Sequence, residues 1–439
     1  MSEKNSSDTK TSSARVEESA RQALSAPQVA RSRRRLVLYL GALVLGGILG
    51  LLGSSFINTV CDVLATIYTR LFSFVAVPVI ALSLLNTLAK LGSSRSSGRI
   101  FAHTVGYTLL TTVLAAVVAL VIFEFVSPAS VPTEMVGDFD ESRFTKSGSF
   151  EHLVSVIPIT LFQPFVSGQV LSVLLIAAAL GLGLAVMPES AEREVVMKLF
   201  KGLQDLLFVL IHWLIAALPL GIVAFTAQLS AQLQAGIILG GVAAYFGVVI
   251  GSNLIQMFIV LPLLLVLRGL NPMVIARGML PALAVALFSK SSAGTLPVTL
   301  ASAEDNLHVD TRVSRFVLPI CTTINMNGCA AFILVTSVYL LQNAGVEITG
   351  LSLITWVLIA TVSAVGNAGV PMGCYFLTLS LVSSMGVPVQ LMGVILPVYA
   401  VIDMIETCLN VWSDSCVCNI VNRELKDQLG SAAPAAVTA

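Results

Sequence analysis

The sequence predicts an all-α polytopic membrane protein with eight transmembrane helices and two re-entrant helical hairpins, and three observations lead there. Hydrophobic residues fill 56% of the 439 positions and charged residues only 11%, against about a quarter charged in a soluble domain; the mean hydropathy is +0.92. Apolar runs of roughly twenty residues or more, enough to cross a bilayer, recur along the chain. Toward the C-terminal end, two apolar segments are interrupted at matching places by Ser, Gly and Pro. The 24 Lys and Arg balance the 24 Asp and Glu, so no basic excess points to nucleic acid.

Residues 1–35 read as a disordered cytoplasmic tail, rich in Ser, Ala, Glu, Lys and Arg without apolar periodicity. The first apolar stretch opens only after Arg31, Arg33, Arg34 and Arg35. That is too late for a cleaved signal peptide, and the basic cluster is expected to stay in the cytoplasm. A single membrane domain is expected over 36–424. Its spans fall at Leu36–Phe56, Val60–Ala89, Phe101–Phe125, His152–Met187, Val195–Leu229 and Gly236–Leu267, with another after Thr311 and a last helix over about 390–422. Lys90, Arg95 and Arg99 follow the second span, Arg193, Lys198 and Lys201 the fourth, and Arg268 and Arg277 the sixth; Arg312 and Arg315 precede the next helix. Every second loop is basic, which by the positive-inside rule puts both ends, including a tail at 425–439, on the cytoplasmic side of a cell (inner) membrane.

Lys290–Pro297 reads KSSAGTLP and Gly366–Pro371 reads GNAGVP. Each places Ala-Gly shortly before Pro in an apolar segment, and each segment, about 272–304 and 349–387, is long enough to enter, break and return. The tip of such a hairpin exposes backbone N–H groups that attract an anion and carbonyls that attract a cation. Two kinked spanning helices fit the same composition, but they would leave Ser289–Ser292 as a polar run in mid-membrane.

The last helix carries Asp403, Glu406, Thr407, Asn410 and Asp414 at offsets of 0, 3, 4, 7 and 11, which trace one helical face. Each carboxylate costs about 3 kcal/mol near mid-bilayer, so three together must face water, a ligand or protein partners. Internal ion pairs would satisfy them too, yet intramembrane ionisable groups mark ion or substrate pathways by default. Asp414 suits a hard cation, which prefers oxygen ligands, and Asp403 suits an ammonium. TTINMNG, with Thr322, Thr323, Asn325 and Asn327, interrupts the helix that begins near Thr311; it is either a kink or a ligand cluster. Thr111 and Thr112 are weaker candidates, because a buried Thr usually bonds its own helix. The seven cysteines, mostly inside apolar runs, are expected to be buried hydrophobes rather than disulfides. His103, His152, His212 and His308 are scattered, and no GxSxG or HExxH motif occurs, so neither a metal centre nor an enzyme is expected.

SKSSAGTLPVTL from Ser289, TINMNG from Thr323, AGVP from Ala368 and DMIETCLNVWSD from Asp403, in that order, resemble the dicarboxylate/amino acid:cation symporter family, the sodium:dicarboxylate symporters with the glutamate-transporter fold. Up to the sixth span the resemblance is one of hydropathy alone. It implies inverted repeats, an elevator-type scaffold with mobile transport domains, and a homotrimer. Carried over by motif, it implies that Ser291 and Ser292 in the first hairpin, with Gly369 and Val370 in the second, enclose a substrate. Asp403 would hold the amino group and Asn410 the α-carboxylate, with Cys329, Glu406 and Thr407 around the side chain. Asp414, with backbone oxygens near Asn325 and Asn410, would form one sodium site. Backbone oxygens around Thr323, Met326 and the second hairpin would form a second, and Thr111, Thr112, Asn325 and Asn327 a third.

Two departures bear on function. The family usually has NMDG where this chain has Asn327 in NMNG, a lost charge that weakens the third cation site. Carriers of glutamate and aspartate have Arg at the position of Glu406, so an acidic side chain would here meet a carboxylate. DMIETCLN instead is similar to the DxxETxLN pattern of bacterial serine/threonine symporters. Lys290 is expected to pair with Glu406, the alternative being contact with a substrate carboxylate, and Tyr399 lies one turn before Asp403. The expected function is a sodium-coupled symporter importing a small neutral amino acid such as serine, threonine or alanine. Its competitors are a sodium- or proton-coupled importer of glutamate, aspartate or C4-dicarboxylates, and a channel. Sodium is the coupling ion, no cofactor is expected, and the partners are the substrate, sodium and the bilayer.

Overall fold

The computed structural model describes residues 38–425 except 39–40, 43, 53, 93–97, 131–156, 168, 234–237, 347, 349, 368–371 and 386. The expected tails, Leu425 aside, lie outside the described residues. Every regular element described is helical: α1 (44–51), α2 (Ser55–Gly92), α3 (Gly98–Val126), a short α4 (Gln163–Ser167), α5 (Val170–Val186), α6 (Ala191–Ala216), α7 (Leu218–Leu233), α8 (Ile238–Ile255), α9 (Leu261–Leu267), α10 (Pro272–Ser289), α11 (Ser292–Ala301), α12 (Thr311–Ile324), α13 (Asn327–Asn343), α14 (Gly350–Val365), α15 (Gly373–Ser384) and α16 (Gln390–Glu424). Wider, π-type turns at Gln256–Val260 and Ser302–Asn306 follow α8 and α11.

Several expected spans are subdivided, and proline accounts for two of the breaks. Over His152–Met187, residues 157–162 are not helical, and the helix falls into α4 and α5; Pro158 and Pro164 each lack the amide that a continuous helix requires. Val195–Leu229 is divided at Ala217, two residues before Pro219. Over Gly236–Leu267 the π-type turn separates α8 from α9. The first two spans are shifted: α2 begins at Ser55, ahead of the expected Val60. Among the described residues, four stretches are long and apolar enough to cross a membrane, Arg99–Val126, Gly241–Leu267, Pro272–Ser289 and Thr311–Asn343. Large apolar side chains such as Phe56, Phe74, Phe125, Trp213 and Leu267 stand on the outside, the inverse of a water-soluble surface.

Among the described residues the interior holds a small apolar cluster, Val75 and Val79 of α2 with Ile211 of α6, and two large ones. One gathers residues of α2, the second half of α3, α5, α7, α8, α13, α14, α15 and the first third of α16, up to Ile402. The other gathers Tyr107 of α3, then α9, α10, α12 and the second half of α16, from Leu409. α13 is buried along nearly its whole length. Among the described residues the chain crosses from one large cluster to the other within α3, at the α8–α9 junction, at the α12–α13 junction and within α16.

Small residues let α1 approach α7. A Cβ placed on Gly46 would lie 2.5 Å from the Val223 carbonyl oxygen, and one on Gly50 2.2 Å from that of Ala227. The four-residue spacing puts both glycines on one face, a small-xxx-small contact of the kind that joins helices in lipid. Gly50→Leu should destabilise the protein by about 1–3 kcal/mol through overpacking, read as a lower melting temperature in detergent. Gly41→Leu, where an added Cβ meets nothing within 4 Å, should leave it unchanged.

Candidate functional site

Polar groups collect where the chain crosses between the two large clusters. α12 ends at Ile324 and α13 begins at Asn327, leaving Asn325 (φ −95°, ψ 70°) and Met326 (φ −104°, ψ 66°) outside helical geometry. A helix end leaves its last carbonyls without intrahelical partners. Side chains hold this break together. Asn325 Nδ2 donates to Asp414 Oδ1 and Ser413 Oγ, both at 2.9 Å, while its Oδ1 accepts from Thr111 Oγ1 and Asn327 Nδ2, also at 2.9 Å. Asn327 Nδ2 donates further to Ser413 Oγ at 2.9 Å.

Gln256, in the π-type turn, completes this cluster. Its Nε2 donates to Asn327 Oδ1 at 2.9 Å and to the Thr111 carbonyl at 3.1 Å. Gln256 and Ser413 were not among the sequence candidates. Ser413 adjoins Asp414 in sequence and could have been found that way, whereas a lone amide in the apolar run IQMFIV gives no periodic signal. Thr112 turns back on its own helix, its hydroxyl donating to the Thr108 carbonyl at 2.8 Å. Thr322 and Thr323 likewise bond Pro319 and Ile320 carbonyls. Asp414 Oδ2 is buried without a partner, which leaves a carboxylate oxygen beside an unwound backbone. That donor chemistry suits a hard cation.

One turn and more toward the start of α16 lies a second group. Asn410 Oδ1 accepts from Gly328 N at 2.9 Å, and its Nδ2 donates to sulfur, Met326 Sδ at 3.5 Å and Cys329 Sγ at 3.7 Å. A Cβ on Gly328 would lie 2.7 Å from Glu406 Cα, so only glycine lets α13 start this close to α16. Glu406 is 1% exposed; its Oε2 accepts from Tyr399 Oη at 3.0 Å and its Oε1 has no partner. Asp403 Oδ2 accepts from Met372 N at 3.2 Å. Thr407 bonds back to the Asp403 carbonyl at 2.8 Å.

The turn between α10 and α11 is set by Lys290, in the left-handed region at φ 56°, and by Ser291, whose Oγ caps α11 by accepting from Gly294 N at 3.1 Å. Ser292 is buried. Lys290 stands at this turn, and its charge reaches Asp403. Gly369 and Val370 lie outside the described residues.

One cysteine expectation is overturned: Cys329 and Cys374 are joined in a disulfide, Cα to Cα 5.5 Å. Their spacing of 45 residues gave no hint of pairing. Ligand atoms of Cys329, Cys374 and Glu406 fall within 4.8 Å of one another, but sulfurs bonded to each other are not the thiolates a metal needs.

The sequence pattern of the sodium:dicarboxylate symporter family matches residues 36–424. The chain belongs to that family. Among curated proteins it is similar to glt-4 of Caenorhabditis elegans, a provisionally assigned sodium-dependent excitatory amino acid transporter, with 34% identity over 60% of this chain and 52% of that protein. Excitatory amino acid transporter 3 of Mus musculus is 27% identical over 83% of this chain and 79% of its own length. Neutral amino acid transporter A of Homo sapiens is 28% identical over 79% and 72%. The match thus spans about half of the worm protein and about three quarters of the other two. The family is one of sodium-coupled amino acid transporters in membranes, and its members here include both acidic and neutral carriers.

Gln256→Leu removes the donor to buried Asn327 Oδ1. It should cost about 1–3 kcal/mol, the penalty of an unsatisfied buried polar group, seen as a lower melting temperature in detergent.

Proposed function

We propose that this family member is a sodium-coupled secondary-active symporter that imports a small neutral amino acid, with hydroxyl side chains such as serine and threonine fitting best and alanine also accommodated. The observation that carries this reading is Glu406, a buried carboxylate with one oxygen held by Tyr399 and the other without a partner. Such an oxygen accepts a hydroxyl proton and repels a substrate carboxylate. Asp403 takes the ammonium, in competition with Lys290, and Asn410 Nδ2 donates to the α-carboxylate. Thr407 lies beside them on α16, and Ser291, Ser292, Gly369, Val370 and Cys329 complete the enclosure.

Sodium is a co-substrate. Asp414, with chain oxygens near Asn325 and Asn410, supplies one site, and oxygens around Thr323 and Met326 a second. The third family site, at Thr111, Thr112, Asn325 and Asn327, is read as weakened: Asn327 brings no charge, and its Oδ1 already accepts from Gln256. The protein is further proposed to form a homotrimer in a cell (inner) membrane with both termini cytoplasmic. α10–α11 and α14–α15 serve as re-entrant arms, and the transport domain moves as an elevator. The competing reading, a sodium- or proton-coupled importer of glutamate, aspartate or C4-dicarboxylates, requires Lys290 to contact the substrate carboxylate in place of the missing Arg.

Purified protein in liposomes should accumulate labelled serine, and not labelled aspartate, when an inward sodium gradient is imposed; aspartate uptake without serine uptake would refute the neutral-substrate assignment. Asp403→Asn should reduce serine uptake by at least about a hundredfold, near 2.7 kcal/mol of lost ligand interaction, while protein yield in the membrane stays the same. Asn327→Asp should steepen the dependence of uptake on sodium concentration, as a restored carboxylate strengthens the third site.

A further inference from the structure

Cys329 is in the first turn of α13 and Cys374 in the first turn of α15, and their bond ties these two helix starts together. The other described cysteines, Cys61, Cys321, Cys408, Cys416 and Cys418, are free. The pair is set apart by its surroundings. Asn367 Nδ2 lies 3.1 Å from each sulfur, Asn410 Nδ2 lies 3.7 Å from Cys329 Sγ, and a Glu406 carboxylate oxygen is within 4.8 Å of both. Two residues before Cys374, Met372 N donates to Asp403. The covalent link therefore restrains the same short stretch of backbone that closes on Asp403.

We propose that Cys329 and Cys374 form a reversible dithiol/disulfide modification site, oxidised by peroxide or by a low-molecular-weight disulfide, and that the oxidised form arrests transport. The consequence for transport rests on Asp403 and Glu406 being substrate groups, as argued above. With the bond closed, α15 is held against α13, and Met372 N stays on the carboxylate that an ammonium must reach. With the bond open, the start of α15 is free to withdraw from Asp403. Disulfides persist in oxidising surroundings and are opened in a reducing cytoplasm, so the site takes its state from the thiol balance around it.

The chemistry balances. With hydrogen peroxide, one cysteine sulfur attacks a peroxide oxygen, the O–O bond breaks, and a sulfenic acid forms as one water leaves. The second sulfur then displaces the sulfenic oxygen as a second water, and the S–S bond forms. Two S–H bonds are lost, the sulfurs give up two electrons, and peroxide is reduced to two waters. A dithiol reverses the reaction by two thiol–disulfide exchanges and is itself left as a disulfide.

Because coupling between two events at one site is reciprocal, a bond that hinders substrate binding must also form less readily when substrate is bound. The test uses the full chain in liposomes, with labelled serine and labelled aspartate both offered so that a wrong substrate assignment does not mask the result. Uptake is compared after dithiothreitol and after peroxide, and the Cys329–Cys374 peptide is quantified by mass spectrometry without reduction. Oxidation should lower uptake of the transported amino acid at least about tenfold, in proportion to the cross-linked peptide, and dithiothreitol should restore it. At a fixed ratio of reduced to oxidised dithiothreitol, saturating sodium and substrate should lower the equilibrium amount of the peptide. Cys374→Ser and Cys374→Ala should transport at the reduced wild-type rate whatever the treatment. Equal uptake with the peptide fully formed, failure of the peptide to form, or undiminished peroxide inhibition in both variants would each overturn the proposal. Loss of the serine preference alone would overturn only the substrate assignment.

Discussion

The unwound step between α12 and α13 is the constraint on which the rest of the arrangement depends. A helix that stops inside an apolar interior leaves carbonyl and amide groups that lipid cannot satisfy, so every neighbouring element must bring polarity to that depth. The other three crossings described above do so. α3 brings Thr108 and Thr111, the α8–α9 junction brings Gln256, and α16 brings Ser413 and Asp414. The two large apolar clusters are thus joined through hydrogen-bonded amides and hydroxyls rather than through continuous packing. Such a seam is stable only when nearly every member is satisfied, and the exceptions, one oxygen each on Asp414, Glu406 and Gln256, are where external partners have something to bind.

Charge at the seam is unevenly spread. Asp403, Glu406 and Asp414 all sit on α16 and are buried, and Lys290 is the cation whose field reaches Asp403. A cluster poorer in positive than negative charge favours cations and ammonium groups over anions, because desolvated like charges repel strongly. An amide at position 327 in place of a carboxylate keeps that excess from growing further.

The sequence disclosed the features that obey a local rule. The face of α16 follows helical periodicity, TTINMNG announces its own break through Asn, and KSSAG marks the turn at Lys290 and Ser291. What stayed hidden depends on distant parts of the chain. Gln256 and Asn327 are 71 residues apart, and Cys329 and Cys374 are 45 apart. Neither pairing leaves a trace in spacing or composition. The subdivision of the fourth and fifth spans was legible in Pro158, Pro164 and Pro219, which hydropathy averaged over.

α16 runs without interruption from Gln390 to Glu424, and this continuity fixes a distance. Asp403 and Asp414 are eleven residues apart, about 16 Å along the axis at the α-helical rise. No small ligand touches both, and direct attraction between an ammonium at one and an ion at the other is weak at that range. Communication between them must therefore pass through the intermediate contacts, from Asp414 to Asn325, across the unwound step to Gly328, and back to α16 at Asn410. Under the proposed function the helix acts as a ruler that keeps cargo and driving ion apart, and the unwound step beside it touches α16 at both Asp414 and Asn410.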